Sequence, residues 1–393
     1  MSNQFGFVSE ETYAEKMDTQ NRFLAAIVEN QGGNLKPTSW NNTQALVRSN
    51  LIDAVVGIAD QFTMERSGTS LVWDVIGKNH DTPADKQYDK SLTLQLHDCF
   101  PSTMQFDAPE AFYYCAEELP AGTYHFVIDS TYDTAYNKYS SYQFTLTKAV
   151  PAGGQLTFPW GGNVNASTIK VNSFESATST TPLEQVAVTQ GTGGQGLGTL
   201  TTAGDFDNNL NSIQRVRYGS NNYKESAIRQ WLNSKAAAGS VWTPQTKFDR
   251  PPSWAASTAG FMNGMDEDFL AVIGKTHIIV SRNTVCDGGG YDEMDDYFFL
   301  LSRREVYMGN EVASVIEGEP YPYYSDYSDL SAAGTGADSN RIKYRNGSAQ
   351  YWWNRTPYSG YGNYVRGVHT TGTMHINNAS YTSGGVAPAC NII

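Results

Sequence analysis

The sequence predicts an α+β chain in three parts: N-terminal helices, a small β-sandwich domain, and a C-terminal domain with long ordered loops. Three observations predict it. Apolar residues recur at helical spacing through the first sixty positions. The period then changes to two. Beyond residue 185, short helical and strand-like islands alternate with long polar stretches rich in Tyr, Asn, Ser and Gly. Composition agrees: only 17% of the 393 residues are charged, against about a quarter in typical soluble chains, and 24 are Tyr. Tyr offers a large, rigid contact area at low entropic cost, so the composition points to a binding surface.

Residues 1–62 read as a helical attachment and oligomerisation segment. Ala14, Met17, Asn21, Leu24 and Val28 recur at spacings of 3, 4, 3 and 4, a heptad seam with one polar insert. A lone Asn in such a seam fixes register and oligomer state. A homotrimer is expected, with a dimer second. After the break at 31–34, Val47, Leu51, Ala54, Val55 and Ile58 mark the apolar face of a second helix, with Asn42 or Thr43 placed to cap it. Residues 63–180 read as the sandwich, because 71–76, 91–97, 123–129 and 142–147 alternate and turn-forming clusters separate them. A Gly-rich connection at 191–198 opens the third domain, 185–393. Within it 226–233 and 266–273 read as helices, and 277–280 and 297–301 as strands.

A net charge of −13 argues against nucleic-acid partners and anionic membranes. No run approaches the roughly 18 apolar residues of a membrane span, so no membrane insertion is expected. The first residues have neither a basic nor an apolar leader region, which predicts a product made in the cytoplasm without a signal peptide. Cys99, Cys115, Cys286 and Cys390 form no CxxC pair and read as free core thiols. From Arg341 onward there is no acid, only Arg341, Lys343, Arg345, Arg355 and Arg366, whereas 286–340 holds twelve acids. The simplest reading makes these two oppositely charged segments neighbours in one domain.

Catalytic signatures are absent or weak. Gly191–Gly196 matches GxGxxG, but the Leu-Gly-Thr-Leu-Thr-Thr stretch after it cannot open a helix to bind a pyrophosphate. There is no P-loop, HExxH or GxSxG. Of the six His, only His369 and His375 are close enough in sequence to share a site, and without Cys or acid neighbours no metal is expected there. The acidic run at 287–296 lacks the ligand order of an EF-hand and reads as a solvated loop. No pair of carboxylates stands out for glycoside hydrolysis.

The last 45 residues differ in kind from the rest. Apolar anchors (Trp352, Trp353, Val365, Val368, Met374, Val386, Ala389, Ile392) are separated by Tyr, Asn, Ser, Thr, His and Gly, as in an antibody paratope. Arg366 reads as a fork for a carboxylate or phosphate on a partner. The stretch Trp-Trp-Asn-Arg-Thr-Pro at 352–357, followed by Gly-Val-Ala-Pro-Ala-Cys-Asn-Ile near the end, resembles the C-terminal signature of a family of gut bacteria and their phages. Earlier segments at 218–223, 228–233, 299–307 and 341–344 fit the same resemblance, which covers 185–393. Members share a C-type-lectin-like domain, often known only as a domain of unknown function. Many are similar to variable proteins of diversity-generating retroelements, relatives in design of the phage major tropism determinant. There a reverse transcriptase randomises adenines, so that Asn codons become Tyr, His, Ser, Asp, Thr or Gly at ligand-facing positions.

The resemblance implies a variable segment at about 351–393. Its ligand-binding positions would be Asn354, Tyr358, Tyr361, Asn363, Tyr364, Arg366, His369, Thr371, His375, Asn377, Asn378, Tyr381 and Ser383. Trp231, Trp352, Trp353, Arg355, Pro388 and Ile392 would hold the scaffold. Asn354 stands where the family usually has Leu, and Thr356 where it usually has Ser. The implied function is a phage or prophage receptor-binding protein, made in the bacterial cytoplasm and carried at the tail tip or fibre of the virion. Its partners would be a host-cell surface protein or glycan and other tail proteins, with no catalytic residue, metal or cofactor. Two alternatives stay open: a calcium-dependent carbohydrate-binding lectin, and an enzyme of the formylglycine-generating type that uses paired cysteines and a metal, here Cys286 and Cys390. The acid-free terminal segment ranks the calcium lectin below a metal-free binder.

Overall fold

A computed structural model describes residues 37, 39–109, 215, 218–246, 249–324 and 339–393, with a set of backbone strands and short pieces between 113 and 201. Helix α1 (Trp40–Arg48) opens at Ser39, whose Oγ accepts the Asn42 N–H at 3.2 Å. The cap expected at Asn42 or Thr43 therefore lies upstream, and Thr43 is instead buried. The helix also ends early. Asn50 has φ +58, and a separate 3₁₀ turn (Ile52–Ala54) follows, so Val47 and Ile52 reach the core from two pieces rather than one helix face. The seam at 14–28 and the Gly-rich stretch at 191–198 lie outside the described residues.

Three strands follow: β1 (Gln61–Arg66), β2 (Thr69–Lys78) and β3 (Leu92–Leu96). Next come β4 (Tyr113–Cys115), β5 (Gly122–Ser130), β6 (Tyr139–Leu146), β7 (Gln155–Leu156), β8 (Ile169–Ser176), β9 (Val186–Gln190) and β10 (Leu200–Thr201). Of these, β8-β5-β6-β9 form one antiparallel sheet and β10-β4-β7 another. Two short helices, α2 (Ala227–Leu232) and α3 (Glu267–Val272), start at Ser226 and Asp266, as the capping side chains in the sequence indicate. The remaining strands are β11 (Ile273–Gly274), β12 (Thr276–Ser281), β13 (Tyr291–Asp296), β14 (Phe298–Phe299), β15 (Lys343–Arg345), β16 (Ser348–Gln350), β17 (Trp352–Pro357), β18 (Tyr364–Val368), β19 (Met374–Asn378) and β20 (Ala389–Ile392). The acidic run read as a loop thus contains a strand.

The main sheet runs β1-β2-β3-β20-β11, with β14 also paired to β20. Cys390 lies opposite Leu94 on one side and Phe298 on the other. This corrects the boundaries drawn from sequence. β1–β3 do not join the strands at 122–190 in a 63–180 sandwich but close a sheet with the C-terminal strand. Likewise β10 pairs with β4 (Leu200 opposite Cys115), across the expected boundary at 185. The physical reason is visible in β3: all five of its residues are buried, so it needs cover on both faces and neighbours on both edges. The core beside it is aromatic. Trp73 contacts Phe269 at 5.6 Å and Phe298 at 6.0 Å between ring centres, and Trp231 contacts Phe261 at 5.0 Å. The described chain is α+β and sheet-rich, built of small antiparallel sheets with few helices. No helix among the described residues is long and apolar enough to cross a membrane.

Candidate functional site

The terminal segment builds a separate three-stranded sheet, β17-β18-β19. All six residues of β17 are buried. Trp352 Nε1 donates to the Arg341 carbonyl and Trp353 Nε1 to the Met104 carbonyl, both at 2.9 Å, so each indole is anchored as well as packed. Arg355 makes a two-pronged ion pair with Glu305 at 2.6 and 2.7 Å and also donates to the carbonyls of Leu300 and Glu317. Burial alone would lower its pKa, but the facing Glu305 raises it. Trp231, Pro388 and Ile392 are buried too, so every residue assigned to the scaffold lies in the interior.

Asn354 is a correction. It is fully buried, and neither its oxygen nor its nitrogen has a hydrogen-bond partner. It cannot meet a ligand, because β17 is covered on both faces. Asn363 is buried as well, donating to Asn378 Oδ1 at 2.6 Å.

Strand register divides the remaining candidates between two faces. Arg366 lies opposite Ile376 and Tyr364 opposite Asn378, while Gly367 lies opposite His375 and Val365 opposite Asn377. Successive residues of a strand point to opposite faces, so Tyr364 and Arg366 share one face and His375 and Asn377 the other.

On the first face the tyrosines meet. Tyr358 and Tyr361 stack with ring centres 5.1 Å apart and 13° between planes, and Tyr364 meets Tyr361 edge-on at 5.3 Å. Tyr361 is 40% exposed. The loop that carries them is held from below by Asn221, fully buried, whose Nδ2 donates toward the carbonyls of Tyr358, Tyr361 and Tyr364 at 3.3, 2.7 and 2.8 Å. Asn221 Oδ1 accepts from Asn283, and Asn283 Oδ1 accepts three successive backbone N–H groups at 285–287. Arg215 adds a bond to the Gly362 carbonyl and an ion pair to Asp287 at 2.6 Å.

Arg366 is a second correction. Its guanidinium lies over the Tyr358 ring at 4.1 Å and its Nε and Nη2 donate to Glu311 at 2.6 and 3.0 Å. Glu311 also receives Arg303 Nη1 and the backbone and hydroxyl of Ser359. Burial would raise the Glu311 carboxyl, but Arg366 foremost, then Ser359 and Arg303, hold it below the usual carboxylate range. The fork read as open to a partner is already closed within the chain. Sequence reasoning missed Glu311, Asn221 and Asn283. For Asn221 the signal was its place in the 218–223 segment of the resemblance. For Glu311 it was the acidic segment beside a basic one, a pairing seen here in Glu305 with Arg355 and Glu311 with Arg366.

On the second face His369 and His375 meet at 5.1 Å, His375 contacts Tyr351 at 5.3 Å, and Tyr381, 39% exposed, borders Tyr351 at 6.2 Å. Burial, and then His369, push the His375 pKa below its ordinary value. Thr371 Oγ1 bonds His369 Nδ1 at 3.0 Å, and Ser383 is exposed beside Tyr381 in the chain.

The other proposed chemistries find these surroundings. Asp287, Asp292 and Asp296 are each paired, with Arg215, Lys224 and Arg229. Among the described residues no group of three or more His, Cys, Asp or Glu gathers to hold a metal. Cys390 is fully buried, and burial pushes its thiol well above the ordinary range. In comparison with known proteins, residues 199–393 match the profile of a family described as a domain of unknown function, DUF6273. No curated protein and no solved structure matches the chain.

Proposed function

We propose that the C-terminal domain is a C-type-lectin-like recognition module whose tyrosine face binds a host-cell surface protein or glycan, in a phage or prophage receptor-binding protein at the tail tip. The observation that carries this reading is the cluster of Tyr358, Tyr361 and Tyr364: aromatic, partly exposed, in mutual contact, and held by a buried network. Rigid aromatics on a fixed support are what a binding surface needs, because little entropy is lost on contact. A buried thiol at Cys390 favours binding over thiolate chemistry. Internal pairing of the acids at 287–296 favours a metal-free surface over a calcium lectin.

The test is adsorption of the purified full chain to host cells. Tyr361→Ala should weaken it by about 2 kcal/mol, roughly thirtyfold in Kd, while thermal stability stays within about 0.5 kcal/mol, as for an exposed side chain. Unchanged adsorption would sink the proposal. A diversified locus would also show sister copies differing at Tyr358, Tyr361, Tyr364 and Tyr381 with Trp352 and Trp353 fixed; substitutions spread evenly along the chain would count against it.

A further inference from the structure

We propose that His369 and His375, on the opposite face from the tyrosine cluster, form a site for a divalent transition-metal ion of the Zn²⁺, Ni²⁺ or Cu²⁺ class. His375 lies opposite Gly367 and His369 two residues beyond it, so the two are diagonal neighbours on one face of the β18–β19 hairpin, with ring centres 5.1 Å apart and planes at 65°. Two imidazoles on one tetrahedral ion, with metal–nitrogen bonds of about 2.0–2.1 Å and about 1.1 Å from nitrogen to ring centre, place their ring centres about 5 Å apart. The observed centre-to-centre spacing, in an edge-to-face contact, matches that of two ligands around one ion. His369 is also oriented for the task. Its Nδ1 is engaged by Thr371 Oγ1 at 3.0 Å, leaving Nε2 to coordinate, the outer-shell bond that metal-binding imidazoles use.

A second observation points into the same place. Tyr351 is more than nine-tenths buried, and its hydroxyl has no hydrogen-bond partner. That hydroxyl sits over the bare α-carbon of Gly367, where a Cβ would fall 2.5 Å from it. Gly367 lies directly opposite His375 and two residues before His369, so the orphan hydroxyl lies on the face that carries both imidazoles, with its ring 5.3 Å from that of His375. A metal-bound water is the partner it lacks. Neutral nitrogen ligands with no carboxylate select zinc, nickel and copper over calcium and magnesium. Two protein ligands leave positions open, so the ion remains available to water or to a donor group on a bound partner.

Calorimetric titration of the full chain with zinc, nickel and copper chlorides, with electron paramagnetic resonance of the copper form, tests this. The expected result is one stoichiometric ion with two imidazole nitrogens in the copper spectrum. His369→Gln and His375→Gln should each weaken it about tenfold or more, and Thr371→Val should weaken it less. Tyr351→Phe should keep the two-nitrogen spectrum. Near-ultraviolet circular dichroism of each variant separates loss of binding from loss of fold. The proposal fails if no ion binds below about 100 μM. It fails equally if binding survives in the double histidine variant, which would put the ion elsewhere. Neither result bears on Tyr361 and cell adsorption.

Discussion

At Asn354 a whole carboxamide lies inside the protein with neither end bonded. An unmade hydrogen bond on a buried polar group costs about 1–3 kcal/mol, whereas an apolar side chain of similar shape carries no such cost. Asn354→Leu should therefore raise stability by about 1–3 kcal/mol, measured as a shift in urea midpoint at constant slope. A loss of stability would show that the carboxamide has a partner. Trp352→Ala should do the opposite and cost about 3–5 kcal/mol, because it removes a fully buried indole. These residues also mark what the sequence could and could not reveal. The tryptophans read as scaffold from their size and apolarity. Asn354 read as ligand-facing from the resemblance, as a position that departs from the usual Leu, because nothing in six consecutive residues shows that a strand is covered on both faces. Arg355 and Arg366 had legible charges but illegible partners, since Glu305 and Glu311 lie 50 and 55 residues away in the chain.

The loop at 358–364 takes its shape from an element distant in sequence. Three of its carbonyls converge on Asn221 Nδ2, which has only two hydrogens, so the carboxamide is saturated and one hydrogen is shared. Asn221→Ala removes the side-chain donor from those carbonyls, leaving backbone N–H groups on the Tyr358 and Tyr364 carbonyls, and leaves Asn283 Nδ2 with Asp287 alone. The expected outcome is faster hydrogen exchange of the 358–364 amides and weaker cell adsorption with every tyrosine still present. Unchanged exchange would mean that packing alone holds the loop. Helices α2 and α3 and strands β2, β3, β5 and β6 were legible because capping and alternation are local signals. The Asn221 clamp was not, because it joins positions about 140 apart.

Across the whole molecule, the sequence's domain boundaries failed where long-range pairing decides. β20 completes the sheet begun by β1–β3, and alternation in 71–97 says only that a strand exists, not which strand it meets. The same long-range assembly concentrates ionisable groups. Arg355 faces two fully buried carboxylates, Glu305 and Glu317, so one negative charge exceeds the guanidinium. Burial raises the pKa of both above the ordinary 4.5, against the opposing pull of Arg355. A raised folded-state pKa means that the folded chain binds the proton more tightly than the unfolded chain. Its stabilisation is full below the ordinary value and is lost as pH rises through the folded one. His80 is raised as well, through Asp81 against the pull of burial, and loses its contribution in the same direction above 6.5. The groups held low act oppositely. Asp81 and Glu311 lose stabilisation only as pH falls below 3.8 and 4.5, and His375 offsets part of His80 as pH falls below 6.5. Together these directions put maximal stability on the mildly acidic side of neutrality, with a decline toward alkaline pH. Glu317→Gln keeps the volume and removes the excess charge, so it should flatten that decline while changing stability little at the acidic optimum. Urea unfolding at a series of pH values checks it: a variant whose profile runs parallel to the parent's would show that Glu317 holds no proton in the folded chain.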